Sequence, residues 1–334
     1  MKAFVVRDGF GHDRLTFEDR PDPAPGPGQV LVRVRAASLN YRDLLVARGE
    51  YNPKMPLPRV LGSDAAGEVV AVGAGVTGWN PGGRVIGCFF QDWAGGTLTE
   101  PAARSALGAD RDGVLAELVA FEAGGLVSLP ASLSYEEAAC LPCAGVTAWH
   151  ALQLAGIGPG TTVLAQGTGG VSIFALQLAR ALGARVLATT RSAAKAERLR
   201  ALGADAVCVT ADQPAWEKWV LEQTGRRGVD LVVEVGGAGT MEKSLRAVRY
   251  GGHVALVGVL SGVGTFNPIQ AIMKGVTVHG LFVGSKAHLV GLSEFVAGGG
   301  VRPVIDRVFP FADAAAAFHH LAAGGHVGKV VIGC

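Results

Sequence analysis

The 334-residue chain carries little charge: Asp, Glu, Lys and Arg make up 17 % of it, and 30 basic against 28 acidic residues leave a formal net charge of +2. No run of five basic residues occurs, so the electrostatic footprint of a nucleic-acid binder is missing. No uninterrupted apolar stretch approaches the roughly 20 residues that span a bilayer, and no membrane partner is expected. The N-terminal Met1-Lys2-Ala3-Phe4-Val5-Val6-Arg7-Asp8 reads as a strand interrupted by charge, not as a secretory signal. Cysteine is scarce and odd in number, at five, which argues against a disulfide framework and for a reducing, cytoplasmic setting. Proline is limited to 16 residues and hydrophobic residues reach 49 %, excluding disordered and collagen-like classes. What the chain has in excess is glycine: 49 residues, about 15 % against an average of roughly 7 %. In a chain long enough to bury a full core, that excess points to tight turns and close backbone approaches.

The pattern changes along the chain. Residues 21–28 (PDPAPGPG) exclude helix and central strand. Gln29 to Ala37 alternates apolar and polar like a half-buried strand, and Val60 to Val85 sets glycines between short Val-rich runs, as strands with tight corners do. The first 130 residues therefore read as mostly β. From Thr161 onward, strand and helix patterns alternate: strands at Thr162–Gln166, Arg185–Thr189, Ala206–Val209, Asp230–Val235 and His253–Val259, with helices between them. Such alternation predicts an α/β unit, a doubly wound parallel sheet with helices on both faces. The texts ALGARV (181–186) and ALGADAV (201–207) place Gly183 and Gly203 where a helix must stop before a strand.

The chemistry-bearing motif comes directly after the Thr162–Gln166 strand. Gly167-Thr168-Gly169-Gly170-Val171-Ser172 is GxGxxG with Ser in the third glycine position. The first glycine permits the turn and the second lets backbone approach a pyrophosphate, while the third position needs only a small residue. The helix that opens there offers N–H groups and a positive dipole end to phosphates. An NAD site places a carboxylate about 20 residues beyond the first glycine to bind the ribose hydroxyl. Here the chain reads Thr189-Thr190-Arg191-Ser192, with Lys195 following. Hydroxyls and two cations suit a 2′-phosphate, so NADP(H) is favoured over NAD(H).

Several motifs together resemble the medium-chain dehydrogenase/reductase superfamily: Gly62-Ser63-Asp64-Ala65-Ala66-Gly67-Glu68-Val69-Val70-Ala71-Val72-Gly73, Gly83-Arg84-Val85, Leu141-Pro142-Cys143-Ala144-Gly145-Val146-Thr147-Ala148-Trp149, the glycine loop, and Gly328-Lys329-Val330-Val331-Ile332. The resemblance implies a GroES-like β-rich catalytic domain (1–130), a Rossmann NADP(H)-binding domain (131–284) and a C-terminal return to the catalytic domain (285–334), with the active site in the cleft. It also implies a homodimer, with Val276 to Gly284 as the pairing strand. The zinc enzymes of this superfamily carry Cys, His and Cys at positions that here read Asn40, Ser63 and Cys143. Amide and hydroxyl oxygens beside one thiolate are poor zinc ligands, so no zinc is expected. Cys140-Leu141-Pro142-Cys143 lacks a second CxxC and reads as two small buried residues.

Without a metal to take up developing alkoxide charge, the natural acceptors are those that spread charge themselves, such as quinones and α,β-unsaturated carbonyls. The Asn40-Tyr41-Arg42-Asp43 segment followed by Gly49-Glu50-Tyr51-Asn52-Pro53 is similar to the quinone oxidoreductase and enoyl reductase branches. That similarity implies Tyr51 as proton donor, Asn40 as donor to the substrate carbonyl, and Asp43 as a group orienting its neighbours or pairing with Arg42. It implies that Thr147, Gly258 and Val283 line the nicotinamide pocket. His150 is a weaker pocket candidate, and the loop around Trp93 a candidate cap. Two other readings stay open: a true alcohol dehydrogenase or carbonyl reductase, and an NADP(H)-binding protein with a structural or regulatory role.

Overall fold

The computed structural model describes the whole chain, the side chain of His12 excepted. It divides into two compact units, Met1–Val146 with Gly284–Cys334, and Thr147–Val283. The first unit is built on a seven-stranded sheet. Six strands run in the order Ile305–Pro310, Lys329–Gly333, Gln29–Leu39, Asp64–Val72, Arg84–Gly87, Leu126–Ser128, and Leu118–Glu122 pairs with Gln29–Leu39. The long Gln29–Leu39 strand is central because its inward residues, Val30, Val32, Val34, Ala37 and Leu39, are all buried in one apolar cluster with Phe4, Leu61, Phe121 and Phe318.

Two glycines expected at corners of this unit serve another purpose. Gly67 lies inside the Asp64–Val72 strand, where a Cβ would stand 2.2 Å from the Arg33 carbonyl oxygen, and at Gly73 a Cβ would stand 1.8 Å from that of Gly26. Both are places where backbones meet and no side chain fits. Gly75, with φ of +78°, lies in a turn, and Gly62, with φ of +84°, takes the left-handed conformation just ahead of the Asp64–Val72 strand.

Residues 131–146 pack with the first unit, whereas the family resemblance groups them with the nucleotide-binding part. The reason is local. The Tyr135–Ala139 helix lies on Gln29–Leu39 and Asp64–Val72, and Ser38 Oγ donates to the Ala139 carbonyl at 2.7 Å. The segment Leu141–Gly145 continues as a π-helical turn, a geometry that recurs at functional sites.

The second unit is a six-stranded, all-parallel sheet in the order Ala206–Val209, Arg185–Thr190, Thr162–Gln166, Val229–Glu234, Val248–Leu256, Thr277–Gly280. Strand order reverses beside Thr162–Gln166, the switch point at which doubly wound sheets bind dinucleotides. The Thr162–Gln166 and Val229–Glu234 strands are buried along their whole length, as parallel strands covered on both faces must be. Gly183 and Gly203 stop their helices at φ +85° and +102°. The fifth strand begins at Val248, earlier than expected, because Val248 pairs in register with Val229 directly after the Ala238–Ala247 helix. Thr277–Gly280 is the exposed edge strand. Among the described residues, no helix is long and apolar enough to cross a membrane.

Asp230 ties the early ends of two strands together. Its side chain, 5 % exposed, accepts from Arg227 Nη2 at 2.6 Å, Arg249 Nε at 2.5 Å and the Thr162 amide at 2.8 Å. Burial alone would raise its carboxyl, but these donors outweigh it and bring the group down to about 2. A folded value below the ordinary 3.8 means the contribution is fully present above about pH 4 and is lost as pH falls toward 2. Asp230→Asn is expected to lower stability at pH 7 by about 1–3 kcal/mol. It should also flatten the acid limb between pH 4 and 2, as read by denaturant unfolding across pH.

Candidate active site and nucleotide loop

In the first unit, three strand ends meet. Asn40 comes immediately after the last residue of Gln29–Leu39. Asp64 opens the antiparallel strand beside it, opposite Ser38, and Lys329 opens the strand on the other side, adjacent to the Val330–Leu39 pair. The register of the sheet thus places an amide, a carboxylate and an ammonium together. All are buried: Lys329 at 2 %, Asp64 at 0 % and Asn40 at 9 % exposure. Lys329 Nζ donates to the Leu39 carbonyl at 2.7 Å and to Asn40 Oδ1 at 2.5 Å, and stands 3.9 Å from Asp64 Oδ2. Asn40 Nδ2 faces Ser63 Oγ at 3.5 Å, Ser63 Oγ donates to Asp64 Oδ1 at 2.7 Å, and the Cys143 amide donates to Asp64 Oδ2 at 3.0 Å.

Asp43 closes the group from below. Its Oδ2 accepts from the Asn40 amide at 2.7 Å, capping the Tyr41–Ala47 helix. The carboxyl therefore serves Asn40. Arg42, its other expected partner, donates to the Leu107 carbonyl at 2.9 Å and lies between two rings, 4.7 Å from the Tyr51 centroid and 4.6 Å from that of Phe89. Tyr51 is half-buried against the apolar cluster with this guanidinium on its face.

Trp93 is part of the body of the first unit and not a free cap. It is 6 % exposed, its Nε1 donates to Gly96 O, and its carbonyl accepts the Lys286 amide at the start of the Lys286–Ala297 helix.

The superfamily's zinc ligands find no match in this geometry. The Asn40 oxygen is committed to an ammonium, a cation that would repel a second one. The Ser63 hydroxyl is engaged by Asp64, which leaves Cys143 as the one thiol at the three positions. No group of three or more His, Cys, Asp or Glu among the described residues is placed to hold a metal ion.

In the second unit the glycine loop fits a dinucleotide. Gly167 has φ +79°, and neither it nor Gly169 has any atom within 4 Å of a built Cβ, so the loop face is open. Gly170 and Val171 begin the Gly170–Ala181 helix, with Thr168 buried just before it. Ser172 explains the replaced third glycine: its Oγ donates to the Gln166 carbonyl at 2.5 Å, fastening helix to strand. Thr190 ends the neighbouring strand, and its Oγ accepts the Ser192 amide at 3.2 Å. Arg191 is exposed beside it, and Lys195 lies in the first turn of the Ala193–Ala201 helix.

Gly258 lies just past the end of Val248–Leu256, 2.4 Å by its built Cβ from the Val235 carbonyl, and Thr147 is buried at the start of the unit. Val283 adopts φ +58°, an outlier for a β-branched residue. Its carbonyl is held at 2.9 Å by His150 Nδ1, which must carry the proton because a carbonyl only accepts.

The chain matches two family models, the alcohol dehydrogenase GroES-like domain over residues 26–131 and the zinc-binding dehydrogenase over residues 170–298. It belongs to the medium-chain dehydrogenase/reductase superfamily. A zinc-type alcohol dehydrogenase-like protein of Schizosaccharomyces pombe is 38 % identical over 98 % of both chains. An acryloyl-coenzyme A reductase of Metallosphaera sedula is 32 % identical over 99 % of both. Among solved structures, an alcohol dehydrogenase-class protein of Sinorhizobium meliloti superposes with a TM-score of 0.93 at 39 % identity, covering 100 % of this chain and 98 % of that one. An NAD-dependent alcohol dehydrogenase gives 0.90 at 37 % identity over 100 % of both. A mycobacterial protein solved with NADPH gives 0.84 at 30 % identity over 100 % of both. The chain is an oxidoreductase of this superfamily. In the sequence, Lys329 and Ser63 stand out only as parts of family motifs. A lysine opening an otherwise apolar strand, Lys329–Gly333, is the signal that could have found the first of them.

Burial, opposed by Arg42 and the Asn40 amide, raises the Asp43 carboxyl to about 6. A folded value above the ordinary 3.8 means the fold prefers the protonated acid, so stability declines as pH rises through 4 to 6 and stays reduced above. Asp43→Asn keeps an acceptor for the Asn40 amide and cannot ionise. We expect it to match the wild type near pH 4 and to exceed it by about 2–3 kcal/mol at pH 7.5 in denaturant unfolding.

Proposed function

We propose that this chain is a zinc-independent reductase that takes hydride from NADPH and delivers it to quinones or α,β-unsaturated carbonyls. The carrying observation is the Lys329–Asn40 pair at a zinc-ligand position of the superfamily. It leaves an amide donor where the zinc enzymes hold a strong Lewis acid. Acceptors that disperse their own charge suit such a donor. The similarity to an acryloyl-coenzyme A reductase supports the same class.

NADPH, when bound, supplies the hydride. Backbone N–H groups of Gly167–Ser172 and the helix they open hold the pyrophosphate, and Arg191 with Lys195 pairs with the 2′-phosphate. Asn40 Nδ2 donates to the acceptor's carbonyl oxygen. When hydride adds to the β-carbon of an enone, the C=C electron pair moves to give an enolate whose oxygen this N–H stabilises. A proton, for which Tyr51 is the candidate donor, then completes the saturated carbonyl. Thr147, Gly258 and Val283 are assigned to the nicotinamide. The alcohol dehydrogenase reading is favoured by the names of several relatives and predicts metal-dependent alcohol oxidation.

An NADPH-oxidation screen over quinones, enones, enals and simple aldehydes with chelator-treated protein separates these readings. Conjugated acceptors are expected to react and unconjugated aldehydes to lag. One tightly held zinc per chain, with activity lost on chelation, overturns the proposal. Arg191→Ala should weaken NADPH binding by about tenfold, the scale of one charge-assisted contact, and leave NADH binding unchanged in fluorescence titration.

The Thr277–Gly280 edge strand lies near exposed Ile272, Met273, Val278 and Phe282. An open, apolar edge invites pairing. A homodimer joined there is expected, and Val278→Lys should give a monomer by sedimentation.

A further inference from the structure

We propose that Lys329 is the positioning residue that sets the Asn40 amide as a one-way donor and makes it electrophilic. The inference rests on the reductase reading above and assigns a role to a residue outside the expected site. An amide's oxygen and nitrogen can exchange places, and an amide presenting its oxygen to a substrate carbonyl would repel it. Lys329 removes the choice. An ammonium has three donors and no acceptor, so the atom 2.5 Å from Nζ must be the oxygen of Asn40, and Nδ2 must point away from it, toward Ser63. The same logic holds at the next link. Ser63 gives its proton to Asp64 Oδ1, leaving lone pairs for Asn40. Every donor in the chain thus runs one way, Lys329 to Asn40 to Ser63 to Asp64, and ends on a carboxylate that also takes the Cys143 amide.

The contact to Ser63 is long, at 3.5 Å, and the Asp64 carboxyl stands as a second acceptor for the same Nδ2. Withdrawing electron density at the amide oxygen strengthens both N–H bonds as donors, and the low local dielectric enlarges that effect. Lys329 itself is held on two further sides, by the Leu39 carbonyl and by Asp64 at 3.9 Å. A single positive charge therefore acts on the acceptor through one intervening amide.

The test is a double-mutant cycle on kcat/KM for the best conjugated acceptor of the screen. Lys329→Met and Asn40→Asp are each expected to lower kcat/KM by about tenfold or more, mainly in kcat, with NADPH affinity within twofold of wild type. The combined variant should fall no further than the worse single one, because both remove the same donor. Losses that multiply, or a Lys329→Met variant within twofold of wild type, overturn the proposal. If Lys329→Met fails to fold because Asp64 is left unpaired, Lys329→Met/Asp64→Asn carries the same comparison from an Asp64→Asn background. If the wild type reduces nothing in the screen, the reductase reading fails by itself. The orientation of Asn40 is then read from its side-chain 15N amide pair, identified by its loss in Asn40→Asp. The pair should shift and broaden when Lys329 is replaced, and an unchanged pair overturns the assignment.

Discussion

A buried ammonium has to be surrounded by acceptors, and the first unit is organised so that it is. Lys329, opening its own strand, finds a main-chain carbonyl and an amide oxygen at the end of one neighbouring strand and a carboxylate at the start of the next. That arrangement demands a fixed register, because sliding any strand by one residue would turn its polar residue to the other face. Several local features hold that register. Gly67 and Gly73 let backbones close on one another, Asp43 pins the turn after Leu39, and the π-helical Leu141–Gly145 turn brings an N–H to Asp64. Losing the cation alone would leave a buried, uncompensated carboxylate, which is costlier than losing both partners together.

The architecture is readable in the sequence wherever structure is local. The switch from period-two to helical patterns, and Gly183 and Gly203 at helix ends, are short-range signals that survive without knowledge of the fold. The glycine loop is equally legible, since turn, phosphate approach and helix start lie within six consecutive residues. The polar cluster is not. Lys329 and Asn40 are separated by 289 positions, and the apolar strand that Lys329 opens hints at its burial without naming its partners. The resemblance groups residues 131–146 with the nucleotide-binding part, and no local pattern marks their packing against the first unit. The hydrogen bond from Ser38 to Ala139, which ties them to the first unit, joins positions 101 apart.

The two units carry different kinds of specificity. In the second, the proposed nucleotide site relies on backbone N–H groups and open glycines, with side-chain chemistry chiefly at Thr190, Arg191, Ser192 and Lys195. In the first, the proposed acceptor site relies on the direction of hydrogen bonds. A divalent metal polarises any carbonyl within reach, whereas an amide backed by a single charge is a weaker electrophile. It leaves part of the activation to the acceptor itself. On the proposed function, a change of substrate class needs no change of fold, only a change in what stands at the end of the Gln29–Leu39 strand.

Val283 holds a β-branched side chain in the left-handed region, a conformation that costs of order 1–3 kcal/mol. Valine and glycine codons differ by a single base, so relief of this strain lies one nucleotide away. In the language of sequence drift, a more relaxed chain is immediately accessible at this position. That step would give up the side chain, together with the well-defined backbone that His150 grips through the Val283 carbonyl. A laboratory selection for thermal stability should visit glycine here early.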